Sequence, residues 1–214
     1  FVPCDLTEMP VNASRLLEKP LQLKYTSKCT SNEVEQISNQ ILDLIYQSQN
    51  FSILGDVFIS KFRMNGVFGK FVNLLKEKVN FFDMPMSKGI IDESLSRFVG
   101  TYYGRAGDDR IADAIETSDL ILRIGNFDNE INSGFFSARL PKDKTIDVNP
   151  QYIRIGNGPL FTNVTMMDVL PKLVSLVNTS KVNNAVRYTN IPKQTVRSIR
   201  NRMQAPLTEC DVGS

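Results

Sequence analysis

Short apolar runs alternate with stretches of helical period along most of this chain, and that alternation leaves few folds open. Thr30 and Glu33 stand at capping-box spacing, so a hydroxyl and a carboxylate can satisfy free amides at a helix start. Val34, Ile37, Ile41, Leu44 and Ile45 follow at steps of three or four and predict a helix to about Gln47. Residues 51–58 read as a short buried strand. A second helix spans about 65–78, with Phe68, Phe71, Val72 and Leu75 inward, and Val79–Phe82 is the next strand. Residues 86–107 read as a loop-rich excursion, after which Asp108 caps a short helix with Ile111, Ala114 and Ile115 inward. Leu120–Ile124, Lys144–Val148 and Tyr152–Ile155 are further strands. Pro171 is tolerated only in a first helical turn, which favours Asp168 over Thr165 as cap of a last helix ending near Val177.

Connections of helical length suit parallel pairing with right-handed crossovers. Strands buried on both faces read as unbroken apolar runs, as Leu120–Ile124 does. The expectation is a doubly wound α/β domain over about residues 31–180, with a mainly parallel sheet of about five or six strands and helices on both faces. Phe51, Phe58, Phe68, Phe71, Phe81 and Phe82 are core candidates. Residues 1–30, punctuated by Pro3, Pro10 and Pro20, read as a connector that begins with the end of a strand at Phe1–Val2. Residues 181–214 read as a linker.

Composition narrows the function. Of 214 residues, 42% are apolar, enough for one good core. The 25 basic and 23 acidic residues leave a formal charge of +2, which gives no long-range field for nucleic acid or an anionic membrane. No apolar run is long enough to span a bilayer, and no secretory signal opens the chain. Cys4, Cys29 and Cys210 are too scattered for a disulfide framework or a zinc site and fit a reducing cytosol. Sequons at Asn12, Asn50, Asn163 and Asn178 read as chance.

The chain holds no histidine, the usual proton carrier near neutral pH. It also opens at Phe1, inside an apolar Phe-Val-Pro run without an initiator Met, and the expectation is a piece of a larger enzyme. Five segments in order resemble one family. They are Val2-Pro-Cys-Asp-Leu6, Met84-Pro-Met-Ser-Lys-Gly-Ile-Ile-Asp-Glu93, Gly100-Thr-Tyr-Tyr-Gly104, Glu116-Thr-Ser-Asp-Leu-Ile-Leu122 followed by Gly125, and Glu130-Ile-Asn-Ser-Gly134. Together they are similar to the central domain of thiamine diphosphate-dependent 2-oxo acid decarboxylases, a family that includes the pyruvate and indolepyruvate/phenylpyruvate enzymes.

The resemblance implies a Rossmann-like central domain between two missing domains that bind thiamine diphosphate and Mg. It also implies a cytoplasmic homo-oligomer, dimer or tetramer, when the enzyme is whole. The whole enzyme would convert a 2-oxo acid to an aldehyde and CO₂. Leu54-Gly-Asp56 and Asp147-Val-Asn149 lean toward aromatic, transaminated amino acid substrates and amino acid catabolism. The family's catalytic Glu and His pair, and its diphosphate motif, lie outside this stretch. No catalytic, cofactor-binding or metal-ligating residue is therefore expected here, and no activity or bound cofactor from this chain alone. Phe58-Ile59 stands where the yeast pyruvate enzymes carry a regulatory cysteine pair, so thiol-based activation is not implied.

One loop is a candidate inter-domain element: Glu130, Asn132, Ser133 and Gly134. Its blander reading is a polar turn, with Asn132 and Gly134 supplying left-handed backbone. Gly100, Gly104 and Gly107 precede a helix, as a phosphate loop would, but at the wrong spacing, and Asp56 with Phe58 would repel or crowd a pyrophosphate. Lys193, Arg197 and Arg200 share a helical stripe without interleaved aromatics, which reads as a solvated linker, not a nucleic-acid face. Two alternatives remain beside the decarboxylase reading: a non-enzymatic regulatory relative, and a module that binds FAD, NAD or ADP.

Overall fold

The structure is a computed structural model that describes Cys4, residues 8–19, residues 25–189 and Ile191. The expected strand end at Phe1–Val2 and the basic stretch at 192–203 lie outside the described residues. After a short 3₁₀ helix at Ala13–Leu17, helix α1 (Ser31–Gln47) opens on the expected capping box, with the Glu33 amide donating to the Thr30 hydroxyl and the Thr30 amide to the Glu33 carboxylate. Then follow β1 (Phe51–Gly55), α2 (Phe58–Lys61), α3 (Asn65–Leu75), β2 (Asn80–Asp83) and β3 (Phe98–Thr101). The chain continues through α4 (Asp109–Glu116), β4 (Leu120–Ile124), β5 (Thr145–Val148), β6 (Ile153–Ile155), β7 (Leu160–Phe161) and α5 (Met166–Leu176).

The sheet has seven strands in the order β3-β2-β1-β4-β5-β6-β7, one or two more than the alternation predicts. The first five are parallel, and β6 and β7 pair antiparallel. The antiparallel pairs follow from connection length. Only residues 149–152 separate β5 from β6, too few for a crossover back to the same end of the sheet. β3 hides in the loop-rich stretch because only Phe98 and Val99 mark it, and β7 because it is two residues long.

Two clusters fill the layers. On one face α1, α3 and α5 cover Phe51, Ile53, Phe81, Leu122, Ile146 and Val148. On the other, α4 lays Ala112, Ala114 and Ile115 over Leu54, Phe82, Val99 and Ile121. Helices thus lie on both faces. All the predicted core phenylalanines are fully buried except Phe58, which is half-buried and rests against Phe62 and Phe127.

Two local expectations are corrected. The strand from Phe51 stops at Gly55, because the Asp56 carboxylate takes the amides of Val57 and Phe127 and turns the chain into α2. Thr165, not Asp168, caps α5: its amide and hydroxyl both donate to the Asp168 carboxylate at 3.0 and 2.9 Å. Pro171 consequently sits inside the helix and leaves the Met167 carbonyl without its donor, a cost of about 3 kcal/mol. Burial of Met166, Val169, Leu170 and Leu173, at roughly 2 kcal/mol each, outweighs that cost.

Past Ser180 the chain stays against the body. Val182 and Ala185 are buried, the Ala185 amide donates to the Lys78 carbonyl, and the Arg97 guanidinium donates to the carbonyls of Glu77 and Ala185. Among the described residues no helix is long and apolar enough to cross a membrane. Cys4 is exposed and Cys29 half-buried.

Candidate functional site

Chain order runs outward from β1 to β3 and then returns to β4 on the other side of β1. The carboxyl ends of β1 and β4 therefore flank the switch point where open α/β sheets hold their ligands. Here the two ends are closed on each other. The Asp56 amide donates to the Ile124 carbonyl at 2.9 Å and the Phe58 amide to the Gly125 carbonyl at 3.0 Å. Gly125 adopts φ +70°, and a Cβ there would lie 2.7 Å from the Ile59 nitrogen.

The remaining space is taken by the loop after β4. Asn132, fully buried, donates its Nδ2 to both Asp56 oxygens at 3.0 and 2.9 Å and to the Phe127 carbonyl at 3.0 Å. Its Oδ1 accepts the Met86 amide at 3.1 Å, tying in the segment after β2. Burial pushes the Asp56 carboxyl above the usual carboxylate range. The amides of Phe127 and Val57, Asn132 and the Arg123 charge pull against that rise. A pyrophosphate at this crevice would have to displace Asn132 and then meet the Asp56 carboxylate.

The four predicted loop residues separate into two kinds. Asn132, Ser133 and Gly134 are buried and Glu130 is exposed. The Ser133 hydroxyl donates to the Asn129 carbonyl at 2.7 Å and accepts the Phe136 amide at 3.1 Å. Gly134 has φ +60°, as the turn reading expects, and a Cβ there would fall 2.1 Å from the Tyr103 carbonyl oxygen. Asn132 does not share that conformation. Instead Phe135 and Phe136 do, at φ 57° and 60°, with 65% and 71% of their surface exposed. Left-handed backbone at two consecutive phenylalanines costs about 1–2 kcal/mol each. Ile131 beside them is also exposed, so the loop buries Asn132 and Ser133 and presents three large apolar side chains.

Gly104 packs against Ser133, Ser137 and Ala138, so this glycine of the 100–107 stretch serves loop contact. Asp108 caps α4, accepting the Arg110 amide at 2.9 Å. Among the described residues no group of three or more His, Cys, Asp or Glu side chains is placed to hold a metal ion.

Sequence reasoning missed a second polar feature. Arg123, Asp147 and Arg154 are register partners on β4, β5 and β6, forming a cation–anion–cation row across the half of the second face that α4 leaves open. Asp147 is fully buried; it accepts Arg123 Nε at 2.7 Å and also Arg154 Nη2. Burial opposes the Arg123 cation, but Asp147 and Asp128 outweigh it and raise its pKa. The available signal was one charge inside each of the apolar runs Leu-Ile-Leu-Arg-Ile and Thr-Ile-Asp-Val.

Comparison with known proteins finds that the family model described as "Thiamine pyrophosphate enzyme, central domain" matches residues 38–169. The chain is 30% identical over 203 residues to a transaminated amino acid decarboxylase of Saccharomyces cerevisiae, covering 89% of this chain and 32% of the relative. It is 31% identical over 176 residues to a pyruvate decarboxylase of Kluyveromyces marxianus, covering 82% and 30%. A pyruvate decarboxylase of Candida glabrata is likewise 31% identical over 176 residues, with the same coverage. The chain spans about a third of the length of these curated relatives.

Proposed function

This chain belongs to the family of thiamine pyrophosphate enzyme central domains, and from that membership we propose that it is the non-catalytic middle of a 2-oxo acid decarboxylase. The whole enzyme removes CO₂ from a 2-oxo acid and releases an aldehyde, with thiamine diphosphate and Mg held by its flanking domains. The cofactor, when bound, supplies the ylid nucleophile and electron sink. The share of this chain is positional: it spaces those domains and orders the loop at its switch point. The similarity to the transaminated amino acid decarboxylase favours 2-oxo acids formed by transamination of amino acids, and the Leu54-Gly-Asp56 and Asp147-Val-Asn149 segments lean toward aromatic ones. A cytoplasmic homo-oligomer is the form proposed for the whole enzyme.

One observation carries the reading. The crevice that would bind a ligand is sealed by Asn132 on Asp56, while the same loop holds Ile131 outward and, on strained backbone, Phe135 and Phe136. Strain of this kind persists where surrounding structure demands it, and it clusters at functional contacts. Glu130, Asn132, Ser133 and Gly134 thus form the base of an inter-domain contact, and the apolar tips are the part that meets the neighbour.

The experiment is to express the complete open reading frame and, separately, this chain. Each is assayed for aldehyde from phenylpyruvate and pyruvate with thiamine diphosphate and Mg. Turnover by the complete protein and none by the chain is the expected result. A complete protein that binds thiamine diphosphate but turns over neither acid would point to the regulatory relative. Micromolar binding of FAD, NAD or ADP to this chain would overturn the reading in favour of the nucleotide module.

A further inference from the structure

The open half of the second sheet face holds a groove of about 380 Å³, between the β4–β5 connection and β6. Its floor carries Arg123 and Arg154, joined through the buried Asp147, and Lys142 also lines it. Phe136, Ala138 and Leu140 make an apolar wall opposite. Cavities of this size, apolar with a few convergent polar groups, are the usual form of small-molecule sites.

The charges in the groove do not cancel. Three cations, Arg123, Arg154 and Lys142, face two carboxylates, Asp147 and Asp128. Asp147 is buried beneath the arginines and spends both oxygens on them. Asp128 is mostly exposed and, among the described residues, pairs only with Arg123 Nη1, at 2.7 Å. A guanidinium carries five N–H donors in a planar fork. Among the described residues the Arg123 guanidinium uses two nitrogens, that of Arg154 uses one, and the Lys142 ammonium makes no ion pair or hydrogen bond. Unspent guanidinium donors beside one net positive charge fit one planar anion, and the apolar wall fits a hydrocarbon body attached to it.

We propose that this groove binds a small monocarboxylate carrying an aromatic or aliphatic side chain. The carboxylate sits against Arg154 and Lys142 and the side chain lies along Phe136 and Leu140. This is independent of the decarboxylase reading, since the site is complete within this chain and needs no turnover.

The test titrates this chain with phenylacetate and follows it by calorimetry and by backbone amide shifts. The controls are neutral phenylacetamide and inorganic phosphate. Phenylacetate is expected to bind one to one in the millimolar range or tighter, with shifts centred on Lys142, Thr145 and Arg154. Replacing the carboxylate by the amide should weaken binding about ten-fold, the loss of a charge-assisted contact. Arg154→Gln should do likewise. Because that change also strips a partner from buried Asp147, Lys142→Gln is the folding-neutral control, expected to weaken binding about three-fold. Any of these results would overturn the proposal: no saturable binding, equal binding of the amide, shifts centred elsewhere, or unchanged affinity in Lys142→Gln. Phosphate binding more tightly than phenylacetate would also overturn it, since the apolar wall would then contribute nothing.

Discussion

Replacing Asn132 by Ala tests the seal at the switch point directly. The side chain gives Asp56 two hydrogen bonds and accepts the Met86 amide. Losing the donor to a buried carboxylate costs about 1.5–3 kcal/mol, and the orphaned Met86 amide about 1–3 kcal/mol more. The expected loss is about 4 kcal/mol, against a total stability of about 5–15 kcal/mol for a typical domain. At this size that lowers the melting temperature by about 10 °C. The loss should also depend on pH. Burial already raises the Asp56 pKa, and removing Asn132 takes away a contribution that holds it down. A carboxyl with a raised folded pKa contributes most below its unfolded pKa and loses that contribution as pH rises through the folded one. The variant's pKa is higher still, so its deficit should be smallest in acid and largest near neutrality. Urea titrations of both proteins at pH 4 and pH 7 would measure this. A deficit below about 1 kcal/mol at pH 7, or one that shrinks as pH rises, refutes the view that Asn132 stabilises the ionised form of a buried acid.

Other expectations follow from the same geometry. Gly134→Ala must place a Cβ on the Tyr103 carbonyl at φ +60°, so it should lose more than about 3 kcal/mol. Gly69→Ala in α3 meets nothing within 4 Å and should gain about 0.5–1 kcal/mol in the same urea assay. Phe136→Gly relieves left-handed strain and should stabilise this chain by about 1 kcal/mol, while lowering the melting temperature of the complete protein; equal effects on both would contradict the inter-domain reading of the loop. The side-chain and amide hydrogen bonds of Arg110 hold the Asp108 carboxyl down to about 2. Its contribution should be complete above the ordinary carboxylate range and vanish as pH falls through about 2, so wild type and Asp108→Asn should converge in acid melts.

Local pattern and tertiary consequence divide cleanly in this protein. The capping box at Thr30, the cap at Asp108 and the strand Leu120–Ile124 are all legible in the chain because each depends on neighbours within a few residues. The alternation of apolar runs and helical stripes was enough to name a doubly wound α/β fold, since connection length dictates parallel pairing. Family membership was legible too, because five motifs in order carry it. β6 was legible as a strand at Tyr152–Ile155, but its antiparallel pairing and the two-residue β7 were not, since strands this short are held by the sheet edge they join and not by their own periodicity. The place of Pro171 was likewise decided from outside the helix, by the burial of Met166 and Val169. Asn132 looked like a turn residue in sequence. It became a buried plug because Asp56, far away in the chain, ends a strand directly beneath it. The Arg123–Asp147–Arg154 row arises in the same way, since three single charges on separate strands become neighbours only through sheet register. What sits where along the chain followed from local physical chemistry. Which polar groups meet was settled by long-range packing, because a buried charge has to find its partner wherever the fold delivers one.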